Sequence, residues 1–124
     1  MNQRITLLTG ILMAGLGVAI GAFGAHGLKD TLEAYGRADT FELAVRYQFY
    51  HAFALLITAI LMNQYYSAAS RYASLFFTIG IVFFSGSLYV LSLTGVTMLG
   101  AITPVGGVLF ILGWIFLFLA VSKK

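Results

Sequence analysis

The sequence contains no cysteine, which excludes disulfides, thiol nucleophiles and iron–sulfur clusters. Charge is also scarce: only 9% of the 124 residues are charged, whereas ordinary soluble domains carry about 25%. With 60% hydrophobic residues, a soluble fold would have too few charged side chains to cover its surface. The seven basic residues are scattered and form no patch or stripe, which argues against nucleic-acid binding. The composition therefore predicts a protein whose solvent is lipid.

Four long apolar segments are present. A helix needs roughly 20 residues to cross about 30 Å of hydrocarbon. The segments lie at about residues 5–27, 47–64, 72–94 and 104–121. We therefore predict an all-α, four-transmembrane-helix bundle, integral to the membrane and forming one domain over residues 1–124. The first segment could be misread as a signal peptide, but it is longer than the usual apolar run of about 7–15 residues, so we interpret it as a spanning helix.

The connection at residues 28–46 holds all four acidic residues and is predicted to lie on the membrane surface. Arg46 marks its end, because arginine at mid-bilayer costs about 2.5–3.5 kcal/mol on insertion scales. Glu42 and Arg46 have the spacing of a helical i,i+4 ion pair. Four spans place both termini on one side of the membrane. That side has four basic residues against three on the other, so the positive-inside rule predicts cytoplasmic termini. The four are Arg4, Arg71, Lys123 and Lys124.

Small residues form a stripe along the first predicted helix. They alternate at spacings of four and three, which puts them on one helix face. Such stripes let helix backbones approach closely in lipid, so we predict tight packing against a neighbouring helix. No strand precedes these glycines, which argues against a phosphate-binding loop. The predicted packing residues are Gly10, Ala14, Gly17, Gly21 and Gly24, with Gly106 and Gly107 in the fourth helix.

Polar side chains collect at the end of the bundle next to residues 28–46. Gln48 and His51 fall within the first two turns of the second helix, roughly 3 and 7 Å below Arg46 at 1.5 Å per residue. They share a face, and an unpaired polar group in hydrocarbon is costly, so this face should point into the bundle. The opposite half of the bundle is expected to be plain apolar helix. In the fourth helix, Thr103 and Pro104 have the pattern of an N-cap and first helical residue, and the indole N–H of Trp114 needs a partner.

The polar layer has two interpretations. Its side chains either fix helix packing by hydrogen bonds or form a small site for a lipid headgroup, a quinone or an ion. A bis-histidine haem is poorly supported, because His26 lies at a helix end among glycines. A metal site from His26, His51 and Asp30 or Glu33 is also poorly supported, because no tight ligand spacing is present. No carboxylate lies inside a predicted span, so proton-coupled antiport by a buried acid lacks its usual carrier. A Ser–His–Asp arrangement would need contacts that the sequence does not show, and we expect no catalytic residues, no metal and no cofactor. The candidate ligand-binding residues are His26, Gln48, His51, Ser85 and Tyr89.

Four stretches of the sequence are similar to a known family. They are GAFGAHGL at 21–28, YQFYHAFALL at 47–56, FSGSLYVLSLTG at 84–95 and LGAITPVGGVLFILGW at 99–114. The chain resembles the YwdK/YgdD-like family, which consists of small multi-pass proteins of the bacterial inner membrane. The resemblance implies four helices and a location in the plasma membrane, and it supplies no substrate and no catalytic residues.

Three classes of function remain open from the sequence. The first is a structural or accessory protein without enzymatic activity, acting as a homo-oligomer or with a membrane-protein partner. The second is a binder of a small lipid, quinone or ion at the polar layer, near the outer interface. The third is a transporter or channel, which at this size would need to form an oligomer to enclose a pathway.

Overall fold

The computed structural model describes residues 1–123, except for the side chain of Ala25. Lys124, counted above among the basic residues of the terminal side, lies outside the described residues. Four helices in the described part are long and apolar enough to span a membrane, which confirms the all-α, four-span prediction. The helices are, in chain order, α1 (Gln3–Gly27), α2 (Lys29–Tyr35), α3 (Ala38–Tyr65), α4 (Ala68–Thr94), a short 3₁₀ helix (Thr97–Ala101) and α5 (Thr103–Ser122).

Helices α3 and α4 form the centre of the molecule. α1 packs along α3, and α5 packs along α4, so the two outer helices lie on opposite flanks of the central pair. In the most apolar stretch of each helix, 44% of the residues of α3 and α4 are buried, against 17% for α1 and 28% for α5. Most of α1 therefore presents apolar side chains to its surroundings, as expected of a helix that faces lipid.

The helix ends carry recognisable stop and start signals. Asn2 caps α1, since its side chain accepts a hydrogen bond from the backbone N–H of Ile5 at 2.8 Å. Ser67 and Ser70 form a reciprocal capping box at the start of α4. Gly95 ends α4 in the left-handed region at φ 71°, which an L side chain rarely adopts. These signals fix the short connections that keep α3, α4 and α5 antiparallel to their neighbours.

The segment at residues 28–46 differs from the prediction. It was expected to lie on the surface up to Arg46, but only α2 is a separate surface helix, and α3 already begins at Ala38. The predicted ion pair is confirmed, with Arg46 Nη2 2.9 Å from Glu42 Oε1. Both side chains are exposed on the first turns of α3, where a charged residue can reach water. The charged stretch is thus the beginning of the second spanning helix.

The start of α5 also differs from the prediction. Ile102, and not Thr103, is the N-cap, and Pro104 is the second helical residue. Ile102 keeps helical backbone angles (φ −81°, ψ −31°) because the preceding 3₁₀ helix runs almost directly into α5. The hydroxyl of Thr103 is therefore free of a capping role and lies 2.8 Å from Ser87 Oγ on α4.

The glycine stripe of α1 packs against α3 as predicted. A Cβ added at Gly24 would lie 2.5 Å from the ring of Phe41, and one added at Gly17 would lie 2.9 Å from the ring of Phe49. Gly10 and Gly21 likewise face α3, where a Cβ would come within 2.8 Å and 3.2 Å of side chains. Ala14, the remaining member of the stripe, is half-buried. Side chains of α3, phenyl rings at Gly17 and Gly24, thus occupy the space that the missing side chains leave.

The same arrangement holds α4 and α5 together, with one correction. At Gly106 a Cβ would lie only 2.4 Å from the backbone nitrogen of Phe84, so this glycine permits direct backbone contact. At Gly107 a Cβ would meet nothing within 4 Å, so its predicted packing role is wrong: the residue lies next to the contact face and not on it. Gly80 and Gly113 were absent from the predicted set, yet they face the rings of Phe110 and Phe77.

Candidate functional site

Gln48 connects three helices. The residue is on α3, and its side chain is only 3% exposed. Its Nε2 donates a hydrogen bond to the backbone carbonyl of Met13 on α1 at 2.8 Å. Its Oε1 accepts a hydrogen bond from the hydroxyl of Tyr89 on α4 at 2.6 Å. The candidate residues Gln48 and Tyr89 are therefore in direct contact, and the amide also bonds to α1 at Met13, far along that helix from His26.

His51 is held by a different set of partners. Its Nδ1 lies 2.9 Å from the backbone carbonyl of Tyr47, and its Nε2 lies 3.1 Å from the indole nitrogen of Trp114 on α5. Because an indole N–H can only donate, Nε2 must accept, and the proton is on Nδ1, where it is donated to the carbonyl. The imidazole ring stacks on Phe110 with ring centroids 3.5 Å apart. These contacts match the neutral form of the ring and give Trp114 the partner that its indole needs.

The other two candidate residues contribute in separate ways. Ser85 is fully buried on α4, and its hydroxyl donates to the backbone carbonyl of Ala44 on α3 at 2.7 Å. His26 is exposed in the last turn of α1 and has no side-chain hydrogen bond among the described residues. The structure therefore brings Gln48 and Tyr89 together, pairs His51 with Trp114, and leaves His26 outside both pairs.

The polar contacts lie deeper along the helices than predicted. Because α3 starts nine residues before Tyr47, His51 is near the middle of the helix Ala38–Tyr65. Gln48 bonds to Met13, which is likewise midway along α1. The charged stretch thus occupies the first two turns of the second helix, so the prediction that Gln48 and His51 lie there is wrong, while their spacing from Arg46 along the helix is as predicted.

A second polar cluster lies in the half of the bundle that was expected to be apolar. The hydroxyl of Thr6 on α1 donates to Ser74 Oγ on α4 at 3.0 Å, and both side chains are fully buried. Nearby, Gln3 Nε2 donates to Asn63 Oδ1 on α3 at 2.8 Å. The prediction of one-sided polarity is therefore wrong. The missed signal was the run of hydroxyl residues on one face of α4, since Ser70, Ser74 and Thr78 follow at intervals of four.

Comparison with known proteins identifies the family. A family model described as "Protein of unknown function (DUF423)" matches residues 20–107, which include Gln48, His51 and Tyr89. The chain belongs to this family. A "UPF0382 membrane protein" of Staphylococcus epidermidis is 46% identical over 122 residues, covering 98% of each chain. The "UPF0382 membrane protein YwdK" of Bacillus subtilis is 41% identical over 123 residues, again covering 98% of each chain, which confirms the resemblance. No solved structure matches.

The membership in DUF423 agrees with the four spans, because the relatives are named membrane proteins. The protein is therefore a multi-pass membrane protein that lies in a lipid bilayer. The family description gives no activity.

The chemistry of the interior of this DUF423 protein is largely internal hydrogen bonding. In the part of the chain that the structure describes, every buried side-chain nitrogen and oxygen has a hydrogen-bond partner. The same residues contain no group of three or more His, Cys, Asp or Glu side chains that could hold a metal ion. Gln48 and His51 each use both of their polar side-chain atoms on other parts of the chain. A ligand at these residues would have to displace hydrogen bonds between helices.

Proposed function

We propose that this protein is a structural or accessory protein of the plasma membrane, without enzymatic activity, which acts through its outer surface on other membrane components. The observation that supports this proposal is the self-contained interior. Polar side chains from four helices bond to one another or to the backbone of a neighbouring helix, and a substrate would have to compete with these existing bonds. Such hydrogen bonds are worth about 0.6–1.7 kcal/mol each in membrane proteins, so their role in holding helices together accounts for them.

The exposed surface of the outer helices is where association would occur. α1 buries one face against α3, and apolar side chains such as Leu12 and Phe23 point away from the molecule at 56% and 77% exposure. On α5, Phe118 is 73% exposed. Lipid, a second copy of the chain and a partner helix all suit such faces. The proposal therefore includes a homo-oligomer or a complex with another membrane protein.

The interior part of the proposal is tested with three purified proteins: the parent and the variants Gln48→Ala and His51→Ala. Melting temperatures are measured with and without added quinones and other small molecules, and ion flux is measured in liposomes. We expect both variants to melt lower, no added molecule to stabilise only the parent, and flux at the rate of empty vesicles. A molecule that stabilises the parent but neither variant, or flux above that rate, would overturn the closed interior.

The association part is tested by counting copies of the tagged chain in native-membrane discs and by identifying proteins that copurify in equal amounts. We expect more than one copy, or one partner at constant ratio. A single copy with no stoichiometric partner would contradict an accessory role.

The orientation is part of the same proposal, with both termini in the cytoplasm. Because the chain has no cysteine, a single introduced cysteine reports its own position. Asp30 and Ala68 are both exposed and lie at opposite ends of the bundle. A membrane-impermeant maleimide added to intact cells should label Asp30→Cys, and it should label Ala68→Cys only after the membrane is opened. The reverse pattern would invert the orientation.

A further inference from the structure

A cleft of about 400 Å³ lies where α1, α2 and α3 meet, apart from the hydrogen-bonded interior. Its deeper wall is apolar and includes Gly21 and Val45, which lie several residues inside α1 and α3. Its outer rim carries charge, from Lys29 and Glu33 on the short surface helix α2 and from Glu42 on α3. The lining thus changes from apolar to charged from the spanning helices toward the membrane surface. A lipid molecule has the same polarity gradient along its length.

The charged side chains on the rim form few ion pairs with other residues of the chain. Lys29 and Glu33 are spaced for an i,i+4 ion pair, but the one ion pair among the residues the structure describes joins Glu42 to Arg46. That pair engages Glu42 Oε1 and leaves the other oxygen of the carboxylate open. One cation and two carboxylates, one of them already paired with Arg46, therefore border a half-enclosed apolar cleft and are available to an external partner that carries both signs of charge.

The floor of the cleft is firmly packed. Leu32 and Phe41 line it and are only 4% and 5% exposed. The ring of Phe41 lies in the space over Gly24, where a Cβ would come within 2.5 Å of it, and it also packs on Tyr89 with ring centroids 5.4 Å apart. The shape of the cleft therefore depends on the same glycine stripe that packs α1 on α3.

We infer that this cleft binds one phospholipid whose headgroup carries both a phosphate and a primary ammonium group. Lys29 bonds to the phosphate, Glu33 and the open oxygen of Glu42 accept hydrogen bonds from the ammonium, and the upper part of an acyl chain lies along Gly21 and Val45. A headgroup without an amine leaves Glu33 without a cation, because Glu42 is already paired with Arg46. A quaternary ammonium carries the charge but has no N–H to donate. This inference stands independently of the proposed function, because none of the hydrogen bonds of the interior is involved.

The test is a binding measurement on the full chain in detergent, using short-chain phosphatidylethanolamine, phosphatidylglycerol and phosphatidylcholine, with melting temperature and native mass spectrometry as readouts. We expect phosphatidylethanolamine to bind roughly fivefold to tenfold more tightly than the other two, as expected for one or two exposed charge-assisted contacts. Free phosphoethanolamine, which has no acyl chain, should give no shift. Equal binding of the three lipids, or an equal shift with free phosphoethanolamine, would overturn the inference.

Two matched variants locate the site. Glu33→Gln and Asp30→Asn each remove one negative charge from α2, but only Glu33 lines the cleft. We expect Glu33→Gln to lose the preference for the amine headgroup and Asp30→Asn to keep it. Ala38 is exposed on the rim, so Ala38→Phe should fill the cleft without changing the fold. We expect this variant to bind all three lipids more weakly. If Glu33→Gln and Asp30→Asn behave alike, the lipid binds elsewhere and the assignment fails.

The outcome is separable from that of the proposed function. Stabilisation by phosphatidylethanolamine should persist in Gln48→Ala, because Gln48 does not line the cleft. Lipid stabilisation that disappears in Gln48→Ala but survives in Glu33→Gln would contradict the cleft assignment and the closed interior together.

Discussion

The adjacent glycines of α5 offer a direct test of helix packing, because one contacts α4 and the other does not. In Gly106→Ala the new methyl group would lie 2.4 Å from the backbone nitrogen of Phe84 and 2.7 Å from its Cα. Optimal carbon contacts are about 3.5–4.0 Å, so α4 and α5 would have to separate by roughly an ångström. The obstructing atoms belong to the backbone, so a change of rotamer cannot relieve the overlap.

The expected magnitude follows from two opposing terms. Overpacking a close contact costs about 1–3 kcal/mol, and a rigid backbone obstacle favours the upper end. Replacing glycine by alanine within a helix contributes about 0.5–1 kcal/mol in the favourable direction. We therefore expect Gly106→Ala to lose about 2 kcal/mol of unfolding free energy. Gly107→Ala, which meets nothing within 4 Å, should gain about 0.5–1 kcal/mol.

The assay is reversible unfolding in mixed micelles with increasing dodecyl sulfate, followed by fluorescence. The chain has one tryptophan, Trp114 on α5, which packs on His51 and Phe77, so its emission reports directly on the contact between α5 and the central helices. The difference between the two variants should be about 3 kcal/mol, the sum of the expected loss and gain. Equal stability of the two variants, or a Gly107→Ala protein that is the weaker one, would refute the close-contact reasoning.

Three further predictions concern single hydrogen bonds. Tyr89→Phe leaves Gln48 Oε1 without its donor and should cost about 1–2 kcal/mol in the same unfolding assay; no loss would contradict the bond. In ¹⁵N NMR spectra of the parent protein, the His51 ring should be neutral with its proton on Nδ1. The substitution Trp114→Phe removes the indole donor and should shift the Nε2 resonance of His51. A parent protein with the His51 proton on Nε2 would contradict the assigned donor and acceptor roles. Thr58→Val should change stability by less than about 0.5 kcal/mol, because its hydroxyl bonds only to its own helix; a loss as large as that of Tyr89→Phe would be inconsistent.

The sequence predicted the number of spans well, because a run of about 20 apolar residues has few alternatives in a chain with so little charge. The glycine stripe of α1 was equally readable, since its period alone places Gly10, Gly17, Gly21 and Gly24 on one face, and that face contacts α3. Periodicity says which residues share a face, but it does not say which way the face points. Gly107 shows the limit: it follows Gly106 directly, and a single step of 100° around the helix takes it off the contact face.

The candidate site was less predictable because the sequence did not show where α3 begins. A boundary at Arg46 rested on the cost of burying arginine, but an arginine on the exposed side of a helix can extend to the surface and pay little. Because α3 begins at Ala38 and not at Tyr47, every position counted from the start of the helix shifts by nine residues, and His51 lies at the middle of its helix. The pairing of His51 with Trp114 then depends on how α5 packs across α3, and no spacing along a single segment contains that information.

Close packing and directional bonding divide the task of holding this bundle together. Lipid is as apolar as leucine, so burying apolar side chains between helices gives little net drive in a membrane. Glycine–phenyl contacts set how near two helices approach, but a ring over a glycine tolerates sliding along the axis. A hydrogen bond such as Gln48 to Met13 does not tolerate sliding, because a shift of one residue moves the carbonyl by about 1.5 Å. The polar side chains at two depths, Gln48 near the middle and Thr6 toward the termini, therefore fix the register of α1 against the central helices. A side chain that sets register must be buried and hydrogen-bonded across the helix interface, and both Gln48 and Thr6 are.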